Sequence, residues 1–105
     1  MTFLRINIIT TMNRNQAILV STDQISRCGG WIIYHALFSN MAANVNFELP
    51  LSNTEICIQG LEASGFKLSF YGELPTGNEG NTRGCLSFTF LHNEIDLKRD
   101  VRAFG

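Results

Sequence analysis

Residues 85–90 read Cys-Leu-Ser-Phe-Thr-Phe. Leu86, Phe88 and Phe90 fall on one side and Cys85, Ser87 and Thr89 on the other, the period-two alternation of a strand with one apolar face. The pattern recurs upstream. Leu4, Ile6 and Ile8 alternate with Phe3, Arg5 and Asn7; Val45, Phe47 and Leu49 with Asn46 and Glu48; Ile56 and Ile58 with Cys57 and Gln59; and Phe66, Leu68 and Phe70 with Lys67, Ser69 and Tyr71. Four consecutive strands of this kind in the second half predict an antiparallel sheet covered on one side. Pro50 stands near the end of the first of them, where a strand tolerates it. Leu61–Gly65 is short enough for a hairpin. Residues 75–84, with three glycines and two asparagines, suit a longer flexible loop.

Such a sheet needs a cover. After Ser21-Thr22-Asp23, which offers N-cap acceptors, Ile25, Cys28, Gly29, Ile32, Ala36, Ser39 and Ala43 recur mostly at steps of three and four. The spacing predicts one long helix over about 23–43, with Gly29-Gly30 as its weak point. Trp31-Ile32-Ile33-Tyr34 would also suit a strand. Gln16–Val20 reads as a second short strand. Residues 93–104, with Leu97, Val101 and Phe104 spaced four and three apart and Asn93 placed to cap, read as a short C-terminal helix. The expected architecture is therefore a single globular α+β domain over residues 1–105 in the order β-β-α-β-β-β-β-α. Its mostly antiparallel sheet carries one long helix packed on one face and a short C-terminal helix. The expected inner face is Leu4, Ile6, Ile8, Phe47, Leu49, Ile56, Ile58, Phe66, Leu68, Phe70, Leu86, Phe88 and Phe90. Met12 could itself begin a protein, which would make residues 1–11 an upstream extension, but their alternation argues that they fold.

Composition narrows the function by exclusion. The chain has 105 residues, 45% hydrophobic and 16% charged, enough for one core and unlike a disordered segment. A net charge of −1 supplies no positive field to hold nucleic acid or an anionic membrane. The longest apolar stretch, Trp31 to Phe38, is eight residues against the roughly twenty that a bilayer needs. The first twenty residues hold no apolar run of signal-peptide length. A cytoplasmic protein is expected. Cys28, Cys57 and Cys85 have no C-x-x-C or C-x-x-H spacing, so no zinc site is implied, and reduced thiols in or near a core are the expectation.

Candidate chemistry is sparse. His35 sits inside the apolar stretch and reads as a core or boundary histidine. His92, at a strand end beside Asn93, Glu94 and Asp96, has the surroundings of a general base, though an exposed polar residue explains it as well. A Cys–His pair between Cys85 or Cys57 and His92 has no local signature behind it. The glycines of 77–84 lack the lysine-serine pair of a phosphate loop, contain Glu79 and precede a strand, so turn geometry accounts for them; Arg83 is the residue that would carry an anion. The carboxylates are spread singly, and no metal or cofactor is expected. Phe66–Tyr71 and Ser87–Phe90 look faintly like the aromatic strands of an RNA-binding sheet, but the phenylalanines alternate onto the apolar face and only Tyr71 would be exposed.

A binding role is therefore expected before an enzymatic one. Glu48, Glu55, Glu62, Glu73 and Glu79 are opposed only by Lys67 and Arg83 in that part of the chain, giving it a locally acidic character. The first expectation is a protein-interaction module, of the inhibitor or immunity type, that contacts another protein through a polar, partly acidic face including Glu48, Glu55, Glu62, Glu73, Lys67 and Tyr71. The alternative is a small-ligand-binding or catalytic domain with His92, Cys85, Tyr71 and Arg83 around a cleft by the 75–84 loop. A homodimer paired through a sheet edge is a third.

Overall fold

Asn13 sets the first departure from the sequence pattern. Its side-chain oxygen accepts hydrogen bonds from the backbone N–H groups of Asn15 at 2.9 Å and Gln16 at 3.2 Å, so a helix starts here and not at Ser21-Thr22-Asp23. The computed structural model describes residues 2–91. Strand β1 (Thr2–Thr10) leads to helix α1 (Arg14–Arg27). The hairpin of β2 (Trp31–Ser39) and β3 (Ala42–Pro50) follows. A 3-10 turn (Leu51–Asn53) opens into α2 (Thr54–Ala63), and then come β4 (Leu68–Phe70) and β5 (Asn81–Phe90).

The glycine pair explains why no long helix forms. Gly29 N–H donates to Ser26 O and Gly30 N–H to Ile25 O, each at 3.0 Å, while Gly29 takes a φ of +81°. These are the two bonds of a Schellman cap, which ends α1. A Cβ at Gly30 would lie 2.7 Å from the Glu48 carbonyl oxygen, so only glycine lets the chain turn there against β3. The apolar residues from Trp31 to Ala43 then run on as β2 and the start of β3. The long helix over 23–43 is thus replaced by the end of α1 and a hairpin, and Gln16–Val20 lies within α1.

The Ile56–Gln59 strand is likewise corrected. Thr54, Cys57, Ile58 and Leu61 are buried at helical spacing, and Ile56 points outward at 59% exposure. A second Schellman cap closes α2, with Gly65 N–H donating to Glu62 O and Phe66 N–H to Leu61 O. The strand expected over 66–71 shortens to β4. The C-terminal helix expected over 93–104 lies outside the described residues.

The five strands form one sheet in the order β2-β3-β5-β1-β4. It is mixed, not mostly antiparallel: β1 and β5 pair in parallel along nine residues at its centre, and the remaining neighbours are antiparallel. Both helices pack on one face. Leu4, Ile6, Ile8, Val45, Phe47, Leu49, Leu86, Phe88 and Phe90 meet Ala17, Ile25, Cys57, Ile58 and Leu61 in one core. Most of the expected inner face is in place, with Leu68 and Phe70 packed at its partly buried margin. Phe88 lies edge-on to Phe66 at 5.7 Å between ring centroids and stacks with Phe90 at 5.5 Å. Gly84 faces Phe47 across the β3–β5 pair, where any Cβ would collide with the ring.

Candidate functional site

With both helices on one side, the other side of the sheet is left open among the described residues. Strand register assembles it into four rows. Trp31, Glu48, Arg83 and Phe3 form the first, and Tyr34, Asn46, Cys85 and Arg5 the second. Ala36, Asn44, Ser87, Asn7 and Ser69 form the third, and Ser39, Ala42, Thr89 and Ile9 the last. Short amides and hydroxyls occupy the middle. Aromatic rings stand around them, with Trp31 47%, Tyr34 58%, Phe3 51% and Tyr71 63% exposed.

Several of these groups hold one another. Asn7 Nδ2 donates to Tyr71 Oη at 3.0 Å, tying the ring beside β1. The Arg5 guanidinium lies 5.4 Å from the Phe3 ring centroid, within cation–π range. Glu48 accepts from Asn81 Nδ2 at 3.1 Å and faces Arg83 Nε at 3.6 Å. Its negative charge is therefore already partnered within the face.

The acidic residues do not share one surface. Glu48 is on the open face, Glu55 and Glu62 are exposed on α2 in the opposite layer, and Glu73 and Glu79 follow β4 in the connection to β5. Lys67 is exposed just before β4 and Tyr71 just after it. Residues expected around a cleft are also separated. A depression of about 210 Å³ next to the 75–84 loop is lined by Leu51, Ser52, Thr54, Glu55, Pro75, Thr76, Gly77 and Asn78. Arg83 and Cys85 stand on the open face of β5 and do not line it, and His92 lies outside the described residues. His35 is exposed on β2, not held within a core helix.

All three cysteines are free and buried. Burial, reinforced by the neighbouring Cys28 thiol, pushes Cys57 up from 9.0 to about 12. A thiol held protonated in this way is a poor nucleophile at neutral pH. Gln24 Nε2 donates to Cys28 Sγ at 3.4 Å. No group of three or more His, Cys, Asp or Glu side chains suited to a metal ion occurs among the described residues. Nor is any helix among them long and apolar enough to cross a membrane.

Sequence reasoning missed Phe3, Trp31 and Tyr34 as surface features. Phe3 was legible as the outward side of β1's alternation. Trp31 and Tyr34 were hidden by the helical reading of 23–43. Compared with known families, characterised proteins and solved structures, the chain matches none.

Proposed function

We infer that this protein is a protein-interaction module, of the kind that blocks or holds another folded protein by covering part of it, and that it docks through the open face of the sheet. The observation that carries this is the composition of an uncovered layer: Trp, Tyr and Phe around Asn, Ser and Thr, with Arg5 and Arg83 among them. Rigid aromatics give contact area at low entropic cost, and short amides and hydroxyls adapt to a partner's backbone and side-chain polar groups, as in antibody combining sites. Strands spaced about 4.8 Å with about 3.3 Å per residue give four strands of nine or ten residues and a fifth of three a platform of roughly 630 Å², somewhat below the roughly 800 Å² that each partner contributes to a standard interface. Three unpaired thiols fit a reducing compartment. The acidic groups on α2 and after β4 would act at longer range, speeding the approach of a basic partner.

The alternative, a ligand cleft by the 75–84 loop, draws less support. The depression there is smaller than the roughly 300–1,000 Å³ of ordinary ligand sites, and Cys85 and Arg83 are not in it.

The test compares captured proteins quantitatively. Ser87→Arg and Asn44→Arg place long charged chains in the middle of the face, and Glu62→Lys changes α2. A partner held by the parent chain and by Glu62→Lys, and lost from both face variants, supports the reading. A partner retained by the face variants and lost on charge reversal at Glu55 or Glu62 overturns it in favour of the acidic layer.

A further inference from the structure

The two edges of the sheet differ in kind. β4 closes one side with three residues directly preceded by Lys67, a short charged edge that discourages further pairing. β2 closes the other with nine residues, Trp-Ile-Ile-Tyr-His-Ala-Leu-Phe-Ser, and contains no Lys, Arg, Asp, Glu or Pro. Trp31, Ile33, Tyr34, Leu37 and Phe38 are 39–63% exposed. The outer backbone edge of β2 has no strand partner among the described residues. A long, uncharged, apolar edge is the template on which another strand adds.

The register of β2 indicates which strand fits. Bulges between Ile32 and Tyr34 and between Leu37 and Ser39 fix the faces. Ile32, His35 and Leu37 lie opposite the buried Phe47, Val45 and Ala43, on the helix side. Trp31, Tyr34, Ala36 and Ser39 lie opposite Glu48, Asn46, Asn44 and Ala42, on the open side. An antiparallel partner must match side for side. A second β2 does so when the two-fold axis passes His35: Trp31 then meets Ser39, Tyr34 meets Ala36, and His35 meets its own copy. A slip of one residue sets Tyr34 against His35 on opposite faces and loses the match. With no Lys, Arg, Asp or Glu on the strand, self-pairing sets none of these charged groups against its own kind.

We propose that β2 is a self-pairing edge, through which two copies of this chain join antiparallel about His35 into one ten-stranded sheet. The five exposed side chains offer on the order of 500 Å² on each copy, and the doubled area reaches the roughly 1,000 Å² of a specific interface. The other segment of the chain that could lie on this edge, residues 92–105, carries six charged side chains and is a poor match for an uncharged apolar strand. The pairing takes Trp31 and Tyr34, at the β2 margin of the docking face, into the seam and leaves the rest of that face open, from β3 to β4, joining the two copies into a continuous platform.

The experiment is sedimentation equilibrium of the full chain over about 1–200 µM, read against the 11.8 kDa of one copy. Two-chain mass is expected, falling to one-chain mass in Leu37→Lys and in Phe38→Glu, with the circular dichroism of the parent kept. Ser87→Arg, in the centre of the open face, stays at two-chain mass even where it abolishes docking, so the two readings fail separately. In the oxidised His35→Cys variant a covalent dimer is expected on a non-reducing gel, because Cα atoms facing each other across antiparallel strands lie about 4.5–5.5 Å apart, within disulfide reach. One-chain mass of the parent throughout overturns the proposal, whether the edge is bare, covered by residues 92–105 or kept for a different protein. So does two-chain mass that survives both edge substitutions. A dimer that will not cross-link at position 35 overturns the register.

Discussion

Phe88→Ala tests the placement on which the architecture rests. Phe88 is 2% exposed, edge-on to Phe66 and stacked with Phe90. Truncation removes the ring's transfer free energy and leaves a cavity, together about 3–5 kcal/mol. The two ring pairs it breaks, each about 0.5–1.5 kcal/mol, place the expected loss at the upper end of that range, near 5 kcal/mol. That is a large part of the roughly 5–15 kcal/mol holding an ordinary domain together. With a urea slope of about 1.5–2 kcal/mol/M, the midpoint falls by roughly 2–3 M. The assay is urea unfolding at one fixed protein concentration, followed by circular dichroism and Trp31 fluorescence. Phe88→Leu keeps most of the volume but gives up both ring pairs, and should lose about 1–3 kcal/mol, which keeps the measurement within range if the alanine variant is too unstable to study. A loss below about 1 kcal/mol for Phe88→Ala would place the ring at a surface and refute the face assignment of β5.

Other expectations are equally direct. Asn13→Ala removes the acceptor for two backbone N–H groups and should cost about 1 kcal/mol, read from the same urea curves; no loss would mean α1 starts elsewhere. Gly84→Ala drives a methyl group into the Phe47 ring and should cost about 1–3 kcal/mol, whereas a stabilised variant would show that the ring does not lie across β5. Because Cys57 is raised from 9.0 to about 12, the unfolded chain gives up its thiol proton before the folded one does; stability is unaffected below about pH 9 and falls as the pH rises toward 12. Unfolding midpoints at pH 8 and 10.5 should differ by less in Cys57→Ala than in the parent, and an equal difference in both would remove this assignment. Cys28 and Cys57 should resist alkylation at neutral pH until denaturant is added, and rapid labelling of the native chain would favour the catalytic alternative.

Strands β1, β3 and β5 were legible because each is half-buried, so alternation reports directly on which side faces the core. The middle was not. Residues 31–43 satisfy helical spacing and strand propensity at once, and the Schellman cap at Gly29-Gly30, a backbone device, decides between them. Ile56 and Ile58 alternate over too short a span to outweigh the helical burial of Thr54, Cys57, Ile58 and Leu61. The parallel pairing of β1 with β5 is a long-range choice that no local pattern encodes. The same limits apply to the surface. Glu48 and Tyr71 were singled out and do lie on or beside the open face, but Trp31 and Tyr34 joined it only once their strand was recognised. The acidic residues were grouped by their closeness in sequence, and folding distributes them over different layers.

Because β5 sits between β3 and β1, the last described strand to leave the ribosome is the one that joins the halves of the sheet. Before it arrives, β2–β3 and β1–β4 are two separate pairs with an apolar slot between them; the rungs that join β5 to β3 link residues 31–47 positions apart, and those that join it to β1 link residues eighty apart, as Leu4 and Gly84 do. Folding therefore waits on synthesis and proceeds slowly. A nascent chain halted before residue 81 would present a ready acceptor for any stray extended segment, making it a client for chaperones and a nucleus for misassembly.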